Sequence, residues 1–250
     1  MRSNESSLVM QSKVKNIARL TLATAIMALM VLISVSCGSS DSATESLKSP
    51  QQTLAEAATR MATLTSLGFV LSHEEGYSPL LPGVEAHRVE GVVALPDQAG
   101  LEVEARISAL GSFISIKIVV DGADATMTDP LTGAPRSLPA SSLPFNFLNL
   151  GATLGAIALA MQDPAFTEGR TIDGVPSQGI AGAVTGRDLR VLIPAARADA
   201  EVRLEVWVGE DSLIRRVSIG GEVVANDPSG VVRILTFGAF NQPVTIEPLT

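Results

Sequence analysis

The feature of this 250-residue chain that most restricts its fold is a repeated alternation of apolar and polar residues. In Leu101–Ile107 every second residue is apolar, and the residues between them are Glu102, Glu104 and Arg106. Successive side chains of a strand point to opposite faces, so this pattern predicts strands with one buried and one solvated face. Short connections rich in Gly, Pro and Asp favour one antiparallel sheet of at least eight strands over parallel units joined by helices. The other alternating segments are 67–73, 89–95, 114–120, 201–208, 213–219 and 231–237.

Three segments have patterns that predict helices instead. Residues 51–66 carry apolar side chains at helical spacing. Phe145–Met161 is uncharged, too short to span a bilayer comfortably and interrupted by two asparagines, so one or two buried helices are expected there. A short helix is expected at Asp188–Ile193, with Thr185 and Asp188 as a capping pair.

The first 37 residues have the organisation of an export signal. Lys13, Lys15 and Arg19 precede an uncharged stretch, Leu20–Val35, and small residues lead from it to Cys37, the only cysteine. Such a site is typical of cleavage by a lipoprotein signal peptidase, although an uncleaved N-terminal helix with an incidental cysteine is the alternative. We therefore expect a signal peptide at 1–36, lipid attachment at Cys37, a flexible Ser-rich tether at 37–50 and one folded domain at 51–250.

The acidic balance of the exported form restricts its partners. The whole chain has a net charge of −8. Removal of residues 1–36 takes away four of the 18 basic and one of the 26 acidic residues, which leaves −11. Nucleic-acid binding and docking on anionic headgroups both need a basic surface, so neither is expected.

A search for catalytic motifs favours a protein without enzymatic activity. The chain contains no GxSxG, Walker or HExxH motif. His73, Glu74, Glu75 and His87 have side chains that suit zinc, but they fall at predicted strand ends beside a turn, and solvated strand ends are the preferred interpretation. We therefore predict no catalytic residue, no metal and no cofactor, and an envelope hydrolase is the remotest alternative.

Trp207 is out of phase with its strand. It falls on the polar face with Arg203 and Glu205, whereas its neighbours Val206 and Val208 lie on the apolar face. A helix or loop that covers this part of the sheet is the preferred explanation. The alternative is a contact residue at a ligand mouth or at a membrane surface.

The apolar composition is compatible with two kinds of interior. Hydrophobic residues make up 46% of the chain but aromatic residues only 4%. A curved sheet lined by aliphatic side chains can enclose a space suited to acyl chains, whose burial contributes about 0.8 kcal/mol per methylene. The same composition also suits an ordinary packed core, and composition does not decide between them.

Several weak signatures in a fixed order resemble the LppX/LprAFG family of envelope lipoproteins. After the cysteine and the tether come LAEAATRMATLTSLGFVL, DPLTG and LPFNFLNLG, then DPAFTEGRTIDGVPSQGIAG and a strand pair around Trp207. The resemblance covers nearly all of 51–240. It implies an α+β fold similar to LolA, in which a single strongly curved antiparallel sheet forms a half-barrel with helices closing its concave face. It also implies binding of acylated lipids or glycolipids that are carried or presented across the envelope, in some members beside a major-facilitator exporter, and it transfers no catalytic residue.

These expectations combine into a lipid carrier that Cys37 tethers to the outer face of the cytoplasmic membrane. The runner-up is a non-catalytic adaptor for an envelope exporter or a cell-wall enzyme, with a filled core. In the carrier, the segment 145–161 is expected to lie over the concave sheet face. The hypothetical cavity lining is Phe69, Leu71, Val103, Ile116 and Ile118 from the strands, with Phe147, Leu148, Leu154, Ile157 and Leu159 from that segment.

Overall fold

The computed structural model describes residues 48–249. The predicted signal peptide, Cys37 and most of the predicted tether lie outside the described residues. None of the helices within 48–249 is both long enough and apolar enough to cross a bilayer.

The first helix, α1 (Pro50–Ala62), begins at a complete cap. The side chain of Ser49 accepts a hydrogen bond from the backbone of Gln52, and the Gln52 side chain accepts one from the backbone of Ser49. Its buried face is formed by Leu54, Ala57, Ala58 and Met61, at the helical spacing of the sequence pattern. The helix ends four residues before the predicted end because the first strand already starts at residue 66.

Within residues 48–249, twelve strands form one sheet that is antiparallel throughout, which confirms the predicted α+β class and single curved antiparallel sheet. The order is β7-β6-β5-β4-β3-β1-β12-β11-β10-β9-β8, with β2 paired to β3, so the sheet does not close into a barrel. The strands are β1 (Ser66–Glu75), β2 (Ser78–Leu81), β3 (Val84–Ala94), β4 (Gln98–Ile107), β5 (Ser112–Asp121), β6 (Asp124–Thr128), β7 (Pro135–Pro139), β8 (Gln162–Ile172), β9 (Val175–Thr185), β10 (Glu201–Gly209), β11 (Ile214–Gly220) and β12 (Val232–Gly238).

The strand register brings the apolar residues of all central strands to one face. Phe69 lies opposite Phe237, Val103 lies opposite Ile116, and Leu204 lies opposite Ile219. These side chains belong to one continuous hydrophobic cluster that also includes Leu54, Ala57 and Met61 of α1. The charged residues of the same strands lie on the other face, as the alternation predicts, with the exception of Arg233 in β12, which is buried on the apolar face.

The segment between β7 and β8 closes the apolar face. It contains a 3₁₀ turn (Ala140–Ser142) and the helix α2 (Leu150–Leu159), which packs against α1. Asn146 anchors it, because its side-chain amide donates to the Val191 carbonyl and its backbone amide donates to the Leu192 carbonyl. The backbone amide of Asn149 donates to the carbonyl of Pro96. The two asparagines therefore tie an apolar segment to the rest of the domain.

The third helix begins earlier than predicted. The capping pair is confirmed, because the backbone amide and the hydroxyl of Thr185 both donate to the Asp188 carboxylate. The helix α3, however, runs from Gly186 to Leu189 instead of 188–193. Thr185 is the cap itself, so the first turn lies between the two capping residues rather than after them.

Candidate functional site

The apolar sheet face and the helices over it bring most of the predicted site residues together. Leu148 is half-buried, and Leu159 is 56% exposed and lies outside the cluster, so the prediction for Leu159 is corrected. A helix presents only one side to a sheet, and Leu154 and Ile157 occupy that side of α2. The other eight predicted residues are buried in one cluster: Phe69, Leu71, Val103, Ile116, Ile118, Phe147, Leu154 and Ile157.

The interior between α2 and the sheet is packed. The cavity between Leu154 and Ile157 of α2 and Leu204 and Leu235 of the sheet has a volume of about 10 Å³. A volume of that size holds about one water molecule and no acyl chain. The eight clustered residues therefore belong to a packed core in this conformation.

A broad open groove of about 1280 Å³ lies on the opposite, charged face of the sheet. Its walls include Glu90, Glu102 and Lys117, and Ile246 of the C-terminal segment crosses it near Gly100. Ligand pockets for apolar molecules are mostly apolar with few polar groups, so this exposed groove is a poor match for acyl chains despite its size.

A third cavity, of about 240 Å³, opens beside the closing segment, and we call it the side cavity. An aromatic row leads to it from the core: Phe69 stacks on Phe147 with ring centroids 5.9 Å apart, and Phe147 lies 6.5 Å from Phe145. Phe145 lines the side cavity together with Ile193 and other apolar residues. The aromatic row thus connects the side cavity to the apolar face, and both are lined mainly by apolar side chains. The side cavity is smaller than typical ligand pockets.

One charged side chain, Arg233, lines the side cavity. It shares a face of β12 with Leu235 and Phe237, and it is only 3% exposed. Its Nη2 donates to Oδ1 of Asp227, whose side chain is fully buried, and Oδ2 of Asp227 accepts from the backbone amides of Val223 (2.7 Å) and Val224 (2.9 Å). The carboxylate is therefore fully engaged and compensates the guanidinium charge.

A chain of hydrogen bonds continues from Arg233 to residues of three other strands, β2, β1 and β3. Arg233 Nε donates to Ser78 Oγ at 2.8 Å, Ser78 Oγ lies 2.9 Å from Nε2 of His73, and Nδ1 of His73 lies 3.0 Å from the carbonyl oxygen of His87. Since a carbonyl only accepts, Nδ1 carries the proton, and a neutral His73 accepts at Nε2 from the Ser78 hydroxyl. Arg233, Ser78 and His73 then each donate one hydrogen bond to the next residue, and the His87 carbonyl accepts the last one.

The environment of His73 favours that neutral form. Burial lowers the pKa of His73, and the nearby positive charge of Arg233 acts in the same direction; the hydrogen bond to His87 and the charge of Asp227 oppose them. The sequence interpretation of His73 as a solvated strand end was therefore wrong. The register places it opposite Arg233 on the face that holds the core.

Sequence reasoning missed Arg233 and Asp227, although a signal was present. In the alternation of β12, Arg233 occupies a position in phase with Val231, Leu235 and Phe237, where an apolar residue is expected. A charged residue on an apolar face is rarely buried unless it is paired, so its presence predicts a buried partner. The partner, Asp227, lies in the loop before the strand, where sequence alone gives it no distinction.

Trp207 is covered by neighbouring side chains rather than by a helix or loop. It is 2% exposed on the charged face, with the guanidinium carbons of Arg170 and Arg216 lying 5.2 and 5.7 Å from its ring centre. Gly179 opposite it makes room, because a Cβ there would lie 3.1 Å from the indole Nε1. Trp207 therefore packs under two arginines as a structural residue of the charged face of the sheet.

Within residues 48–249, no three His, Cys, Asp or Glu side chains converge as a metal site requires. His73 and His87 do approach each other, but through the backbone carbonyl of His87, which belongs to the hydrogen-bond chain. Glu74 pairs with Arg216 at 3.2 Å. The site in the described part of the chain is thus an apolar sheet face with one group of buried polar residues, Arg233, Asp227, Ser78 and His73, which we call the polar corner.

Comparison with known proteins gives a consistent result. A family profile described as LppX_LprAFG lipoprotein matches residues 49–246, and no curated protein sequence matches the chain. The crystal structure of LprF from Mycobacterium bovis is similar with a TM-score of 0.62 at 17% identity, covering 80% of this chain and 96% of that one. LppX from Mycobacterium tuberculosis is similar with a TM-score of 0.56 at 16% identity, covering 79% of this chain and 98% of that one. At these identities the structural likeness concerns the fold.

Proposed function

Given that this chain belongs to the LppX_LprAFG family of lipoproteins, we propose that it binds acylated lipids or glycolipids and carries or presents them across the cell envelope. Cys37 would hold it on the extracytoplasmic face of the cytoplasmic membrane, since a thioether-linked diacylglyceryl group supplies the two chains that stable anchoring needs. A major-facilitator exporter is the proposed protein partner. No catalytic step belongs to this proposal.

The proposal rests mainly on the apolar sheet face, which the uncharged helix α2 covers. The ten residues of α2 contain no charged side chain, and Leu154 and Ile157 face the sheet. Acyl chains offer apolar area and few hydrogen bonds, so a surface of this kind binds them by burial at about 25 cal/mol per Å². A ligand would replace contacts of α2 with the sheet by contacts of its own.

Binding of an acyl chain requires a space between α2 and the sheet. The interior cavity of about 10 Å³ admits no chain, so α2 has to move away from the sheet. The start of α2 supports this movement: its N-cap residue, Asn149, has a left-handed φ of 51° and makes no side-chain cap hydrogen bond. This end is held by the backbone hydrogen bond from Asn149 to the Pro96 carbonyl, but it lacks the side-chain cap that stabilises the start of α1.

The packed interior also favours the second candidate function, a non-catalytic adaptor for an envelope exporter or cell-wall enzyme. In that case the filled core is permanent and the protein acts through its surface. The charged groove of the outer face, with Glu90 and Glu102, would then be the more relevant region. The two functions differ in whether lipid ever enters the domain.

Lipid analysis of the purified protein distinguishes them. The full chain is produced in a host that lipidates it and purified from membranes, and its bound lipids are extracted and identified by mass spectrometry. A lipoprotein with the same leader but an unrelated domain serves as the control for membrane lipid that adheres to the anchor. Near-stoichiometric enrichment of an acylated lipid over this control is expected for a carrier; equal amounts in both samples would exclude it and favour the adaptor.

A further inference from the structure

The side cavity has mostly apolar walls, with Ser78 and the exposed Asn226 as its uncharged polar residues, and one buried guanidinium nitrogen in it lacks a partner among the described residues. Phe145, Ile193 and Val223 are among its apolar lining residues, and Arg233 is the charged one. Among the described residues, Nη1 of Arg233 is buried and has no hydrogen-bond partner, whereas Nε and Nη2 are engaged by Ser78 and Asp227. A buried guanidinium N–H without an acceptor is unfavourable, and native structures normally satisfy it.

The charge around Arg233 restricts which acceptor fits. Asp227 already supplies one full negative charge, its side chain is 0% exposed, and both of its oxygens are occupied. An anionic ligand at Nη1 would bring a second negative charge close to Asp227 in a region of low dielectric, where like charges repel strongly. A neutral acceptor meets the free N–H groups without that repulsion.

We propose that the side cavity is a subsite for the carbonyl oxygen of an acyl ester, held by Nη1 of Arg233 while the adjoining chain lies against Phe145. An ester supplies one neutral acceptor followed by apolar methylenes, which matches one donor surrounded by apolar walls. This subsite rests on the proposed lipid-binding function and adds to it the position at which the polar end of the ligand is held. The aromatic row Phe145, Phe147 and Phe69 continues from this point toward the core.

The cavity size sets how much of a ligand it accepts. With about 240 Å³, it takes the ester group and the first part of a chain, not a whole multi-acylated lipid. The rest of the chain would follow the aromatic row beneath the closing segment. This orientation places the ester group at the edge of the domain and the chain end in its interior.

The test compares three ligands of matched chain length: methyl decanoate, dodecane and decanoate. The full chain is held in amphipol, and binding is measured by equilibrium dialysis of radiolabelled ligand with amphipol alone as the blank. The affinities of the two neutral ligands are divided by their water-to-hexadecane partition coefficients, which removes their different costs of leaving water. Decanoate is ionised and does not partition into hexadecane, so its uncorrected affinity is compared with that of the ester. After this correction the ester is expected to bind about ten-fold or more tightly than the alkane, as for a hydrogen bond to a charged donor.

Two variants locate the effect, and a third is their control. Arg233→Lys keeps a positive charge opposite Asp227 but removes the guanidinium fork, and the ester's advantage over dodecane should disappear. Ala225→Trp places a ring at the exposed rim of the side cavity and should weaken the ester about ten-fold or more, whereas Ala134→Trp in the exposed loop between β6 and β7 should not. Melting curves accompany both rim and loop variants, so that loss of fold is separated from loss of binding.

The other outcomes separate failure of the subsite from failure of the proposed function. Equal corrected affinities of ester and dodecane would overturn the ester subsite and leave the lipid-binding function in place. Tighter binding of decanoate than of the ester would make Arg233 an anion site and overturn the proposal. Undiminished ester binding by Ala225→Trp would place the ligand elsewhere, and no binding of either neutral ligand would overturn both proposals.

Discussion

Gly151 of α2 lies so close to Met61 of α1 that a Cβ built on the glycine would stand 2.3 Å from the Met61 carbonyl oxygen. One turn further along, a Cβ on Gly155 would stand 2.8 Å from the Cα of Ala58. The two helices therefore touch through their backbones, and the two glycines share one face because they are four residues apart. The closing helix is held to α1 by shape rather than by charge.

Replacement of Gly155 by Ala is expected to destabilise the domain. At a solvent-exposed helix position the same change would stabilise by about 1 kcal/mol. Here the new methyl group meets backbone atoms that cannot rotate away, and overpacking of this kind costs about 1–3 kcal/mol. Thermal melting of the variant should show a lower Tm, while Gly238→Ala, where no atom lies within 4 Å of the new Cβ, should leave the Tm nearly unchanged. A raised Tm for Gly155→Ala would mean that α2 does not rest on α1.

Ile116→Trp tests whether the interior opens. Ile116 is 0% exposed and lies opposite Val103, so in the closed conformation a larger ring is expected to cost about 1–3 kcal/mol. If the carrier function holds, the lipid recovered with the variant should also decrease, because the ring fills space that acyl chains need. Ile246→Trp, on the charged face, is the matched change outside the core. Reduced stability in a protein that yields no lipid even without the substitution would favour the adaptor.

Trp207 provides an internal optical probe because it is the only tryptophan. With 2% exposure it should emit at short wavelength and resist quenching by acrylamide. Arg170→Ala removes one of its two guanidinium covers and should increase quenching while lowering stability by about 0.5–1 kcal/mol. Arg203→Ala, an exposed arginine of the same strand as Trp207, should change neither quantity. Equal quenching in the two variants would show that Arg170 does not cover the ring.

The local alternation of β4 and β5 was enough to predict the sheet, because a period of two depends only on neighbouring residues. The edge strand β8 was missed because ten of its eleven residues are exposed or half-buried, so it has no apolar face to signal it. The helices at 51–66 and within 145–161 were predicted from their apolar patterns, whereas the curvature of the sheet and the position of the helices over its concave face came from the family resemblance. The packing of Leu154 against Leu204 and the pairing of Asp227 with Arg233 depend on residues far apart in the chain, and no local pattern encodes such distances.

Cys37→Ala tests the membrane anchor, which lies outside the described residues. The thiol is the attachment point in our proposal, so the variant precursor should escape the lipoprotein-specific peptidase and no diacylglyceryl mass should be found. Mass spectrometry of the protein recovered from membranes gives both results at once. Ser39→Ala, two residues later in the expected tether, should be processed normally. Normal cleavage and membrane retention of Cys37→Ala would contradict the anchor.

The stability of the polar corner is expected to depend on pH through His73. Burial lowers the pKa of His73, and the charges of Arg233 and of the His87 ring act in the same direction. The hydrogen bond to the His87 carbonyl and the charge of Asp227 raise it by less, so the folded state prefers the neutral ring. The unfolded chain has the ordinary histidine pKa of about 6.5 and takes up a proton more readily than the folded one. The contribution of His73 to stability is therefore complete above that value and is lost as the pH falls through it toward the lower pKa of the folded state.

Urea unfolding at pH values of about 8 and 5.5 measures this loss, because the two conditions lie on either side of the unfolded pKa. His73→Gln is the matched variant: a glutamine amide can donate to the His87 carbonyl and accept from Ser78, but it does not titrate. The native chain should lose more stability between the two conditions than the variant, and the difference between them isolates His73 from the other titrating groups. An identical pH dependence in the two proteins would show that the ring of His73 stays accessible to protons, and the hydrogen-bond chain from His87 to Arg233 would then not hold the neutral form.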